Sequence, residues 1–183
     1  MAMREKPFSP AASRTALYGL LGALALVLSA AENMIPPVPV LPPGAKLGLS
    51  NLVTMFAVNA LGLAPALFIT LLKSLFAGLT RGVLASVMSL AGGLASTLAM
   101  WLVCRPRRQL AGAVGFGVVG AVAHNFGQFW VAFFLTTPAV VYYIPWLLSF
   151  GVLSGVLTGL VFCVTMPLLH RYFPGPNAGK NRR

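Results

Sequence analysis

Aspartate is absent from this 183-residue chain, and its only acids are Glu5 and Glu32. A chain this poor in carboxylates supplies neither an aspartate-rich magnesium–diphosphate site nor a carboxylate pair for acid–base catalysis. Histidine is nearly as scarce: His124 and His170 fall far apart in the predicted layout, so no metal site is expected. Cys104 and Cys163 form no CxxC pair and are expected to be free thiols. The tail from Gly175 to Lys180 brushes against a phosphate-loop pattern. It has one residue too few between its glycines, lacks a Ser or Thr after the lysine, and follows no strand. No cofactor, nucleotide site or self-contained enzyme is therefore expected.

Charge is scarce too. Only 8% of residues are charged, against about 25% in a soluble domain whose surface water must wet. Hydrophobic residues make up 58% of the chain, and the mean hydropathy is +0.87. Most of the surface must then face lipid. A bilayer core about 30 Å thick takes roughly 20 helical residues to cross. Apolar stretches run from about Ala12 to Ala31, Leu47 to Leu61, Pro65 to Leu79, Gly82 to Val103, Leu110 to Leu135 and Tyr142 to Leu169. The predicted fold is an all-α bundle of about six transmembrane helices over residues 12–169. It sits between an N-terminal tail, 1–11, and a basic C-terminal tail, 170–183. The second and third stretches are short for full crossings. The proline-rich run from Ile35 to Pro43 cannot be helix and reads as a stiff cap, while Pro65 suits a first helical turn.

The net charge of +11 sets the orientation. With six spans and a cytoplasmic N-terminus, the inner segments carry Arg4, Lys6, Arg14, Arg105, Arg107, Arg108, Arg171, Lys180, Arg182 and Arg183. The outer segments carry only Lys46, Lys73 and Arg81, as the positive-inside rule requires. Fusing the second and third stretches would send the Arg105–Arg108 cluster outside. These basic residues lie between apolar runs, so they signal a membrane and not nucleic acid. The first span, ending at Ser29 to Ala31, also reads as a signal peptide with a cleavage site. Retention is the expectation adopted, because Glu32 and Asn33 look useful where they stand.

Polar groups in an apolar chain cost free energy unless paired or wet. On the predicted outer side, Glu32 and Asn33 end the first span, and Lys46, Ser50 and Asn51 open the second. Lys73 and Arg81 flank the next loop. His124, Asn125 and Gln128 lie in the outer half of the fifth span, and Gly120, His124 and Gln128 share one helix face by their spacing of four. Together they predict an outward-facing binding pocket in which cations outnumber the one acid. Lys46 and Arg81 also read as interfacial charges snorkelling to water. Lys73, deeper in an apolar run, calls for a partner such as Glu32. His124 and the two amides read equally as hydrogen-bonding groups between helices.

Small residues carry a second pattern. Gly151, Gly155 and Gly159 repeat every four residues on the sixth span, and Ser89 with Gly93 does the same on the fourth, as in closely packed membrane helices. Ala12, Ala16, Gly19 and Ala23 form a stripe on the first span, available to the bundle or to a partner subunit.

Three motifs carry a family resemblance: Pro43 to Asn51, Ser89 to Gly93, and Gly120 to Gln128. In this order they resemble the membrane family labelled both "Gx transporter" and "heptaprenyl diphosphate synthase component I", over about Ala16 to Leu168. That family is similar to the substrate-binding S components of energy-coupling factor transporters. The resemblance implies a six-helix bundle in the bacterial plasma membrane that binds a small anionic or vitamin-like solute from outside. It also implies coupling to a transmembrane T subunit and two ATPases, with the Ala12–Ala16 spacing matching the alanine motif that S components present to the T subunit. The synthase label implies instead a partner role in making long isoprenoid chains, and the alternative reading is a non-catalytic membrane accessory of isoprenoid, quinone or flavin-linked redox systems. A stand-alone facilitator is a third reading, but no inverted repeat or pair of broken helices supports it.

Overall fold

The structure, a computed structural model, describes residues 10–34, 48–104, 112–135 and 138–172, with side-chain surroundings for 15–34, 48–104, 112–135 and 140–166. Among these residues every regular element is helical: α1 (Pro10–Met34), α2 (Leu49–Phe56), α3 (Leu63–Arg81), α4 (Val83–Val103), α5 (Ala113–Leu135) and α6 (Ile144–Tyr172). A π-helical turn, Ala57–Leu61, continues α2, and a 3-10 turn, Pro138–Tyr143, leads into α6. The stretches read as the proline-rich cap, Lys46, the Arg105–Arg108 cluster and both terminal tails lie outside the described residues.

Five of these helices, α1 and α3 to α6, are long and apolar enough to cross a membrane. The chain is a multi-pass membrane protein. Their outer faces follow helical spacing: Phe68, Leu71, Leu75 and Leu79 stand exposed along α3, and Leu84, Val87, Leu94 and Leu98 along α4. Such stripes are exposed because lipid, not water, covers them. Single glycines with positive φ join the helices tightly: Gly62 (φ 97°) precedes α3 and Gly82 (φ 90°) separates α3 from α4.

The third predicted stretch proves long enough to cross, at 19 residues. The second does not: Leu49–Leu61 is only 13 residues, about 20 Å at 1.5 Å per residue. Its length is explained by its place. Helices α3, α4, α5 and α6 pack in sequence as neighbours, α1 joins the row against α3, and α2 touches all five. Residues Val53 to Val58 are buried without a break. So continuous a buried run belongs in the interior and leaves little face for lipid. Among the described residues α1 and α6 do not touch, so α2 closes the row between them.

The bundle is held by close approaches at small residues. A Cβ on Gly93 would lie 2.5 Å from Thr70 Cγ2, and there the Thr70 and Thr97 hydroxyls meet at 2.9 Å between α3 and α4. Between α5 and α6, a Cβ on Gly155 would lie 2.5 Å from Val118 Cα, and one on Gly159 2.6 Å from Val114 Cα. Gly117 of α5 meets the Gly155 carbonyl from the other side. At the Gly82 end of the bundle, Phe126, Phe129, Trp130, Phe133 and Phe134 form a run of ring contacts on α5. Exposed Tyr142, Tyr143 and Trp146 follow in the connection to α6. Aromatic rings collect at the membrane–water boundary, and this cluster marks it.

Candidate binding pocket

The short central helix creates the site. Its first residues start inside the bundle, where Gly48 (φ 82°) approaches the Thr158 methyl of α6. Thr158 is 14 residues along α6 from Ile144, a descent of about 21 Å. The polar start of α2 is therefore held well below the membrane boundary, and the space above it stays open. That space is a cavity of about 40 Å³, open at its mouth.

Two charges from neighbouring helices fix the floor. Glu32, in the last turn of α1, accepts the Leu49 main-chain amide through Oε1 at 2.6 Å. The first amides of a helix have no partner within it, and Glu32 supplies one from another helix, where the helix dipole also favours its negative charge. Lys73, near the middle of α3, donates through Nζ to Asn51 Oδ1 at 2.9 Å and to Thr54 Oγ1 at 3.5 Å. Both charges are buried, Glu32 at 6% exposure and Lys73 at 8%. The acid and the base thus converge on the same turn of α2 from two sides.

The opposite wall comes from α4, α5 and α6. Gly92 of α4 gives His124 and Gln128 room: a Cβ there would lie 2.9 Å from Gln128 Cγ and 3.0 Å from His124 Cε1. Asn125, one residue round the helix, donates through Nδ2 to the Leu147 carbonyl at 2.9 Å and ties α5 to α6. It also lines the cavity. Ser89 and exposed Arg81 line the cavity from the Gly82 end.

Of the residues singled out in the sequence, the fold brings Glu32, Asn51, Lys73, Arg81, His124, Asn125 and Gln128 to one cavity. Asn33 is not among its lining residues, because the turn that points Glu32 inward carries its neighbour round the helix. Lys46 lies outside the described residues. Gly93, Gly151, Gly155 and Gly159 stand at the helix contacts, and Ser89 borders the cavity. Ala16, Gly19 and Ala23 are exposed on α1, with nothing within 4 Å of a Cβ built on Gly19; the side chain of Ala12 is outside the described set.

Sequence reasoning missed Ser29, Met55, Met100, Ser154 and Thr158 among the lining residues. The signal for the last two was their spacing of four beside the α6 glycines. Their hydroxyls look neutral in a sequence because they bond back within their own helix, Thr158 Oγ1 to the Ser154 carbonyl at 2.9 Å and Ser154 Oγ to the Gly151 carbonyl at 3.3 Å. No group of three metal-ligating side chains occurs among the described residues.

The arrangement offers acceptors on one side, cationic donors beside them, and imidazole and amide groups opposite, within apolar walls. It can orient a small polar solute by several hydrogen bonds. Residues 21–165 match the family model described as heptaprenyl diphosphate synthase component I. No curated protein and no solved structure matches the chain.

Proposed function

Since the chain belongs to the heptaprenyl diphosphate synthase component I family, we propose that it is the membrane-embedded substrate-capture subunit of a bacterial small-solute uptake system, similar to an S component. The observation that carries this reading is the polar cavity in an otherwise apolar bundle. Burying Glu32 and Lys73 beside the half-buried Asn51 and His124 inside a membrane protein is costly, and a solute that needs them gives the cost a purpose. The positive-inside asymmetry supports an opening on the outer face, with both termini cytoplasmic. Lys73 and Arg81 draw the acidic part of the solute, while His124 and Gln128 orient it. The exposed small-residue face of α1 supports coupling there to a T subunit, and the missing nucleotide motif fits a chain whose energy comes from partner ATPases.

The family description favours a second reading, a non-catalytic membrane accessory of a soluble prenyl diphosphate synthase. A component implies a partner, and the chain has no aspartate with which to hold magnesium diphosphate itself. Affinity purification from native membranes in mild detergent, with mass spectrometry of the companions, separates the two. A T subunit with ATPases supports capture. A soluble synthase without any ATPase supports the accessory role and overturns capture.

A further inference from the structure

One atom of the cavity is left over. Glu32 lines the pocket, is buried to all but 6%, and spends Oε1 on the Leu49 amide, yet its Oε2 is buried with no hydrogen-bond partner. A carboxylate only accepts hydrogen bonds, and a buried charged oxygen without a donor is among the most expensive arrangements in a protein. Lys73 reaches the same turn of α2 but donates to Asn51 and Thr54.

We infer that Glu32 Oε2 is the recognition point for a basic nitrogen on the solute, and that the solute is therefore amphoteric rather than simply anionic. This rests on the capture reading above and sharpens it. A purely anionic solute would be drawn by Lys73 and Arg81 and repelled by Glu32 at the same floor. A solute with a protonated nitrogen at one end and an acidic or carbonyl oxygen at the other satisfies both. The nitrogen completes the Glu32 carboxylate by a charge-assisted bond, while its oxygen end faces the cationic side. Glu32 adds selectivity: the bond from the Leu49 amide holds Oε1 at the start of α2. A solute lacking the nitrogen leaves the carboxylate unpaired, and sites built this way reject such analogues strongly.

The test needs no prior identity for the solute. The small-molecule extract of the native cells is split on a cation exchanger at low pH into an amine-bearing and an amine-free pool. Each pool is added to the detergent-purified wild type and to Glu32→Gln, whose amide oxygen can still accept the Leu49 amide, and thermal unfolding is followed. The amine-bearing pool is expected to raise the midpoint of the wild type and to leave Glu32→Gln unmoved. If the amine-free pool stabilises both proteins alike, or the amine-bearing pool shifts both equally, the Glu32 assignment is overturned and capture stands. If neither pool shifts the wild type, capture itself is overturned, and this inference with it.

Should Glu32→Gln fail to fold, the wild type still decides. Its only acids are Glu5 and Glu32, so dicyclohexylcarbodiimide adducts are assigned by peptide mass. Slower modification of Glu32 with the amine-bearing pool supports the inference, and an unchanged rate overturns it.

Discussion

Glu32 Oε1 and the Leu49 amide, 2.6 Å apart, join the last turn of α1 to the first turn of α2. The bond is a helix cap supplied from outside the helix. Side-chain caps contribute about 0.5–2 kcal/mol. Glu32→Ala is expected to destabilise the detergent-solubilised protein by an amount in that range, and Glu32→Gln, which keeps an acceptor, by less. Equal losses for the two variants in thermal unfolding would show that the amide bond is not what Glu32 contributes to the fold.

Lys73 and Asn51 make the matching tie from α3. A hydrogen bond to a charged donor contributes about 1.5–3 kcal/mol, and Lys73 keeps its bond to Thr54 when Asn51 is lost. Lys73→Met and Asn51→Ala are each expected to lower stability and solute binding, while the double variant loses less than the sum of the two. Strict additivity in this cycle would mean that the two residues act separately.

The lipid-facing helices were legible in the sequence because a membrane imposes one condition, a long apolar stretch, and α1, α3, α4, α5 and α6 meet it. Hydropathy does not say whether an apolar residue faces lipid or protein, so it marked Leu49–Leu61 as a short stretch without showing that it is the buried centre of the bundle. Site residues followed the same division. Glu32, Lys73 and His124 stood out because charge and imidazole are rare in such segments. Ser154 and Thr158 did not, since a hydroxyl that bonds its own helix carries no visible cost. Gly117 was missed for another reason: the stripe of Gly151, Gly155 and Gly159 announces a close contact but not which helix makes it.

Gly117 and Gly19 predict opposite outcomes for one chemical change. A methyl at Gly117 meets the main chain of Gly155 and Gly159, whereas a methyl at Gly19 meets nothing within 4 Å. Overpacking costs typically 1–3 kcal/mol, while alanine is favoured over glycine in a helix by roughly 1 kcal/mol. Gly117→Ala is expected to lower the unfolding midpoint, and Gly19→Ala to leave it unchanged or raise it. A Gly117→Ala protein as stable as the wild type would show that α5 and α6 can part without cost.

Cys104 reports on the opposite end of the bundle. It caps α4 just beyond the span, and its Sγ accepts a hydrogen bond from Asn59 Nδ2 at 3.5 Å. Burial pushes its thiol pKa up, and the Asn59 bond partly offsets this. The thiolate is the reactive form, so labelling by a membrane-impermeant maleimide in a Cys163→Ser background is expected to be slow near neutral pH and to quicken as pH rises. Asn59→Ala removes the influence that lowers the pKa, so the rise shifts to higher pH. The reagent should act from the cytoplasmic face, and faster labelling from the outer face would invert the proposed orientation.

Gly19 also separates a lipid-facing surface from a docking one. Ala16, Gly19 and Ala23 lie exposed on α1, whereas the cavity receives from this helix only Ser29 and Glu32, two to three turns further on. A leucine at Gly19 therefore has space in the isolated chain and touches nothing that lines the pocket. If lipid alone covers this face, Gly19→Leu changes neither solute binding nor uptake, because leucine suits lipid as well as glycine does. If a partner helix packs there, small residues allow the close approach and leucine blocks it. Gly19→Leu is expected to bind solute in detergent as the wild type does, yet to lose at least tenfold in uptake and to release its membrane partner on purification. Full uptake by this variant would remove the α1 face from the coupling surface and leave the family's partner to dock elsewhere.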